Sequence, residues 1–295
     1  GDLIGLARRG NEVKGVDIDP IIADLANANC RVLHLTAAHV ICSDVQQLDL
    51  NGFAACHIDP DRRSEGARTT RLQFFSPSTE AIEQMVRQQP NLAIKLAPAT
   101  ELPHHWQAAA ERQWLGRQRE CKQQVAWFGD LAHFPGQHTA AVVDTSTEDI
   151  ALLNGRPDQQ PEIAPDIGDY VVEPHATVIA ARLVGELARQ HQLTAVDSSV
   201  AYLTCNHRVD DPLLSCFRVI ESSTFDMRQL KSLLRRHEIG KLEVKKRGVN
   251  ISPEKVTSQL AGRGHRAATL IVTPQLGTTR AILCSRCQAN VEAGD

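Results

Sequence analysis

Val13-Lys14-Gly15-Val16-Asp17-Ile18-Asp19-Pro20 decides how this chain is read. A short apolar run from Glu12 to Val16 closes on Asp17, and Pro20 then opens a segment with Ile21, Ile22, Leu25 and Ala28 at helical spacing. Proline suits the first helical turn, where its missing N–H costs nothing. The same strand-then-acid unit recurs on either side. His39 to Cys42 is a strand closed by Asp44, and Phe53 to Ile58 is a strand that runs into Asp59-Pro60. Asp2 to Arg9 and Ser78 to Gln88 read as helices, and Leu92 to Leu96 as a strand that stops before Pro98. Alternation of this kind predicts an α/β fold with a doubly wound, mainly parallel sheet covered on both faces.

Carboxyl ends of neighbouring strands lie along one edge of such a sheet, and ligands bind there. Asp17, Asp44 and Asp59 are therefore expected to line one crevice. A carboxylate after one strand suits the two hydroxyls of a ribose, and one after the next suits an exocyclic amine. The plainer reading of any single acid of this kind is a turn former or helix cap. Three in register favour a binding rim.

The 295 residues are enough for two domains at roughly 100 to 200 residues each. Hydrophobic residues make up 42% and charged residues 23%, and no apolar run approaches the roughly 20 residues of a membrane span. No membrane association is expected. The eight cysteines are scattered through apolar segments, as free thiols of a reducing cytoplasm would be. Cys284-x-x-Cys287 lacks a second pair, so no metal is expected. Asn154 to Gly168 is rich in proline and glycine, which divides the chain into residues 1–153, a linker 154–168 and residues 169–295. In the last part His175 to Gln192 reads as one helix, Leu213 to Ile220 as a strand, Asp226 to His237 as a helix and Lys241 to Lys246 as a strand. Pro253 to Leu260 follows as a helix, and Ala268 to Thr273 and Thr279 to Cys284 as a hairpin around Gly277. This is a small α+β module. The net charge of -3 is uneven: Glu221 to Arg266 holds eleven Lys/Arg against five Asp/Glu, and residues 1 to 220 hold nineteen against twenty-eight. A basic segment on an acidic body fits either a polyanion footprint or a solvated helix face.

Gly1-Asp2 with Leu3-Ile4-Gly5-Leu6-Ala7, then Gly15-Val16-Asp17-Ile18-Asp19-Pro20, resembles class I S-adenosylmethionine-dependent methyltransferases, with a Rossmann-like sheet picked up just after its first strand and glycine-rich loop. The resemblance covers about residues 1 to 145. It implies S-adenosylmethionine as cofactor, Gly1 and Asp2 beside its methionine part, Asp17 on the ribose, Asp44 on the adenine side, and Ile18 and Val45 flanking the adenine. Asp59-Pro60-Asp61-Arg62-Arg63 occupies the place where substrate meets the methyl group. On this reading Asp59 orients or deprotonates the acceptor, Pro60 beside it forbids further ladder pairing, and Arg62 or Arg63 grips a phosphate or carboxylate or else pairs with a nearby aspartate. The family's usual aromatic residue is absent from this stretch. Without the preceding strand and loop, cofactor binding is expected to be weak. His57 is expected to be a packed histidine.

Tyr202-Leu203-Thr204 and Leu242-Glu243-Val244-Lys245-Lys246-Arg247-Gly248-Val249 resemble the THUMP-like domain found C-terminal to such enzymes in bacteria. That resemblance implies an RNA substrate, with Lys245, Lys246 and Arg247 on phosphates. Two other functions stay open at the level of sequence. One is a small-molecule or protein methyltransferase, and the other a non-catalytic RNA-binding protein with a decayed catalytic domain. Oligomeric state is not readable.

Overall fold

The computed structural model describes residues 1–64, 67–144, 149–260, 262 and 264–287, with the backbone alone at 63, 64, 67 and 68. Arg263, counted in the basic segment, and the side chain of Arg63 lie outside the described residues. The chain divides into two compact units, residues 1–94 with 128–131, and residues 95–127 with 132–295.

The first unit runs α1 (Asp2–Arg8), β1 (Val13–Asp17), α2 (Pro20–Val32), β2 (Ala38–Cys42), β3 (Cys56–Ile58), a short hairpin of β4 (Arg63–Ser64) and β5 (Ala67–Arg68), α3 (Thr79–Gln88) and β6 (Leu92–Leu96). β1 is parallel to β2, with Asp17 opposite Cys42. β3 is parallel to β6, with Ile58 opposite Ile94. Leu92, Ala93, Ile94 and Leu96 are buried, an apolar run interrupted only by Lys95 and expected of a parallel strand covered on both faces. α1 lies close on β1 because Gly15 has no Cβ: one built there would stand 2.4 Å from Leu3 Cδ1 and 2.9 Å from Val40 Cγ2. Asn27 of α2 grips the backbone of β2, its Oδ1 accepting from the Val40 N–H at 2.8 Å and its Nδ2 donating to the Val40 carbonyl at 2.7 Å.

The second unit continues with α4 (His104–Ala109), β7 (Glu111–Arg117), β8 (Glu120–Trp127), β9 (His138–Val143), β10 (Ile150–Gly155), β11 (Tyr170–Pro174), α5 (Ala176–Ala180), α6 (Val184–His191), β12 (Thr194–Ala195), β13 (Leu203–Cys205) and β14 (Leu214–Thr224). It ends with α7 (Met227–Arg236), β15 (Ile239–Lys246), α8 (Pro253–Gln259), β16 (Arg266–Gln275) and β17 (Thr278–Arg286). β7 pairs antiparallel with β8 and parallel with β9, and β10 adds antiparallel to β9. A seven-stranded sheet follows in the order β12-β13-β11-β14-β17-β16-β15, in which β15 and β16 are parallel.

The helix expected over His175 to Gln192 is two helices. Arg182 takes a positive φ of 60° between them, its Nε lies 2.6 Å from Asp158 Oδ1, and its carbonyl accepts from the Asp158 N–H at 3.0 Å. Residues 154–168 are held along this region: Asn154 and Gly155 end β10, and the Ala164 N–H donates to the Ala195 carbonyl at 2.8 Å. The hairpin expected around Gly277 turns on Leu276 and Gly277, both at positive φ, the pattern that matches strand twist.

Gly248, just beyond β15, has φ +67°, and a Cβ there would approach Val200 Cγ1 at 2.6 Å and Pro274 Cδ at 3.1 Å. A Gly248→Ala variant is expected to lose about 2 kcal/mol from left-handed strain and crowding together. Urea denaturation measures it, and an unchanged midpoint would mean the turn relaxes freely.

Candidate cofactor rim and basic module

In the first unit Asp17 and Asp44 come together at one edge of the β1–β2 pair. Asp17 is the last residue of β1, and the Ser43 N–H beyond β2 donates to its carbonyl at 3.0 Å. Asp17 Oδ1 accepts the Asp19 N–H at 2.9 Å, and Asp19 in turn caps α2 by accepting from Ile21 at 2.8 Å. Asp44 stands two residues past β2 and caps a single 3₁₀ turn, accepting from the Gln46 N–H at 2.9 Å. Both acids thus do the turn work of the plainer reading, and both keep partly exposed carboxylates at the strand ends.

Ile18 is 73% exposed beside Asp17, and Val45 is half-buried beside Asp44. An open apolar side chain next to a carboxylate suits a nucleoside, whose base needs an apolar face and whose sugar needs an acceptor. Two carboxylate acceptors beside two apolar side chains are groups of the kind that S-adenosylmethionine needs.

Asp59 follows β3, the strand paired with β6, and so closes a different parallel pair; it is exposed, and Pro60 behind it is buried. Asp61 and Ser76 form a two-way bridge, with N–H to carbonyl distances of 2.8 and 3.0 Å. That bridge anchors the turn on which Arg62 sits half-buried. Gly1 precedes α1 and Asp2 stands in its first turn, with Asp2 Oδ2 lying 3.9 Å from His57 Nε2 on β3. His57 is therefore on the exposed face of its strand, facing a carboxylate, and is not the packed histidine expected: alternation along Cys56-His57-Ile58 buries Ile58 and turns His57 outward.

In the second unit the three basic residues read as phosphate ligands separate. Lys245 donates to Glu173 Oε2 at 2.6 Å, and Arg247 to Glu173 Oε1 at 3.4 Å. The Lys245 ammonium lies 5.8 Å from the Phe217 ring centroid, and the Arg247 guanidinium 5.3 Å from that of Tyr202. Burial, followed by the Glu173 charge, pushes the Tyr202 hydroxyl well above the ordinary phenol range. Arg286 closes this face from β17, 4.8 Å from Phe217 and 3.2 Å from Glu243. Lys246, of opposite parity in β15, is exposed. Glu173, Phe217 and Arg286 went unread in the sequence; an acid inside Tyr170-Val171-Val172-Glu173 was the one signal available. The Cys284-x-x-Cys287 pair splits as well: Cys284 packs with Tyr202 and Phe217, and Cys287 against the cluster around Trp114.

The span from β14 to β17 matches the family model described as THUMP domain-like over residues 214–286. The crystal structure of a protein assigned as a methyltransferase in Porphyromonas gingivalis W83 superposes with a TM-score of 0.76 at 16% identity, covering 93% of this chain and 71% of that one. Residues 214–286 are a THUMP-like domain on a methyltransferase fold. The chain also has relatives in sequence. An uncharacterised S-adenosylmethionine-dependent methyltransferase of Mycobacterium tuberculosis, found in strains CDC 1551 and H37Rv, is 28% identical over 280 residues, which is 92% of this chain and 74% of that protein. The chain is thus similar to an S-adenosylmethionine-dependent methyltransferase over 92% of its length and to THUMP-like domains over residues 214–286. No helix among the described residues is long and apolar enough to cross a membrane.

Proposed function

We propose that this chain is a methyltransferase that uses S-adenosylmethionine and acts on RNA. The observation that carries the cofactor is the β1–β2 edge, where Asp17 and Asp44 close adjacent parallel strands and Ile18 stands open between solvent and rim. Asp17 holds the ribose hydroxyls, Asp44 the adenine side, and Ile18 and Val45 the faces of the base; Gly1 and Asp2 border the methionine part. The bound cofactor supplies an activated methyl group, so the chain need only align an acceptor and take up a proton. On this reading Asp59 receives that proton from an amine, Pro60 stands behind it, and Arg62 steadies an anionic part of the substrate. RNA as the substrate class rests on the THUMP-like domain, and the reducing cytoplasm as compartment on eight free cysteines.

Asp17→Ala is expected to weaken cofactor binding about 100-fold, since it removes a charge-assisted acceptor worth about 2–3 kcal/mol. Calorimetric titration of the full-length protein with S-adenosylmethionine measures this, and equal affinity in the variant would remove the rim from the mechanism. Incubation of the wild type with methyl-labelled cofactor and separated RNA, protein and small-molecule fractions tests the substrate. Label in either of the last two alone would refute the RNA assignment and select the corresponding alternative.

A further inference from the structure

The THUMP-like domain is basic, but its positive charge is not evenly available. Lys245 and Arg247 are drawn onto Glu173 and over aromatic rings, with side chains only 18% and 32% exposed. Arg286 is drawn onto Glu243, and Arg236 and His237 share Glu221. Lys246 lies where its charge is felt by Glu254 at the start of α8.

α7 differs. Its sequence, Met227-Arg228-Gln229-Leu230-Lys231-Ser232-Leu233-Leu234-Arg235-Arg236, contains no acid. Leu230, Leu233 and Leu234 are buried against the sheet. Arg228, Lys231 and Arg235 then fall at i, i+3 and i+7 on the opposite face, which puts them in one exposed row. Among the described residues none of the three forms an ion pair; the acid nearest in sequence, Asp226, accepts the Arg228 and Gln229 N–H groups as the helix cap. Seven residues of helix rise about 10 Å. Over that length one strand of a duplex presents three to four phosphates, one per roughly 3.4 Å of its axis. The three cations stand about 5 Å apart along a rigid rod, on side chains long enough for each to reach a phosphate of a nucleic-acid backbone, and the row contains no aromatic or amide side chain with which to read bases.

We infer that the outer face of α7, through Arg228, Lys231 and Arg235, is the surface on which the THUMP-like domain holds the phosphate backbone of its RNA, in place of the Lys245–Arg247 end of β15. This rests on the RNA reading above. It makes the contact sequence-independent and salt-sensitive.

The test compares full-length wild type with the Arg228→Gln, Lys231→Gln, Arg235→Gln triple variant, titrated onto a fluorescent single-stranded RNA between 50 and 200 mM salt. An Arg31→Gln, Arg87→Gln variant, which removes exposed cations elsewhere, serves as control. Three lost contacts at about 0.7 each should lower the slope of log affinity against log salt by about 2. Over that fourfold range the wild type should lose about 20-fold more affinity than the triple variant. Equal thermal midpoints show that the triple variant is folded, as expected for exposed positions. If wild type binds RNA and the triple variant keeps its slope, the α7 surface is wrong while RNA as substrate stands. If the wild type binds S-adenosylmethionine but no RNA at any salt, the RNA reading fails and the surface with it.

Discussion

Glu173→Gln is expected to destabilise the protein by about 3 kcal/mol, because it leaves two cations in a poorly hydrated place without their counter-charge. Glu173 sits in β11 opposite Ser215, its side chain only 16% exposed, and takes Lys245 on one carboxylate oxygen and Arg247 on the other. Phe217 and Tyr202 form the floor beneath those cations. A glutamine keeps the volume and one acceptor, so the loss is electrostatic and not a cavity effect. Adding Lys245→Met to Glu173→Gln should recover a large part of the loss, since the unpaired ammonium goes and an apolar chain of similar length covers Phe217. Guanidinium titration of the two variants reads both effects. A single-variant loss below about 1 kcal/mol would mean that water reaches the cations readily, and Lys245 and Arg247 would return as candidates for RNA contact.

That network also marks where the sequence stopped being informative. Lys245 and Arg247 look like free phosphate ligands in a run of basic residues, and nothing local says otherwise, since their partner stands 72 and 74 positions earlier. Elements written in local signals were legible. β6 has the bounds expected of it, and α7 is enclosed by the expected Asp226 and His237, because an acidic cap, a 3.6-residue apolar period and a basic last turn agree there. The placement of Asp17 and Asp44 was legible for a similar reason: each ends a short apolar run, and parallel pairing of neighbouring runs brings the ends to one edge. β7 to β10 were silent. Glu111, Arg112, Gln124, His138 and Thr139 are all buried within them, which erases the apolar alternation that announces a strand. Glu111 is tolerated inside because hydrogen bonds offset its desolvation: it accepts from the Thr139 hydroxyl at 2.6 Å and from the His133 and Phe134 N–H groups at 2.9 and 3.1 Å. Arg112 lies over Trp114 at 4.8 Å and donates to the Thr100 carbonyl at 3.2 Å.

His138, at the start of β9 in this polar interior, should make stability fall with acid. It is only 6% exposed, lies 4.7 Å from the Trp114 ring and is 2.7 Å from the Ala181 carbonyl through Nδ1. Burial above all holds its pKa down, and Arg112 and Arg182 add to this, so the ring protonates only near about 4 against an ordinary 6.5. The folded state is thus the poorer proton binder between those two values. Stability is complete above about 6.5 and is lost as the pH falls toward 4, by roughly 3 kcal/mol at about 1.4 kcal/mol per pH unit. His175, also pushed down by burial, adds in the same direction. His138→Asn can still donate to the Ala181 carbonyl from the same side-chain position and has no proton to gain. Subtracting its unfolding free energy from that of the wild type at each pH cancels the carboxylates common to both. The difference should shift by a few kcal/mol in favour of the variant between pH 6.5 and 4. A flat difference would mean that the imidazole reaches water in the native state, and the packing of β9 against Trp114 and Ala181 would then be looser than these distances imply.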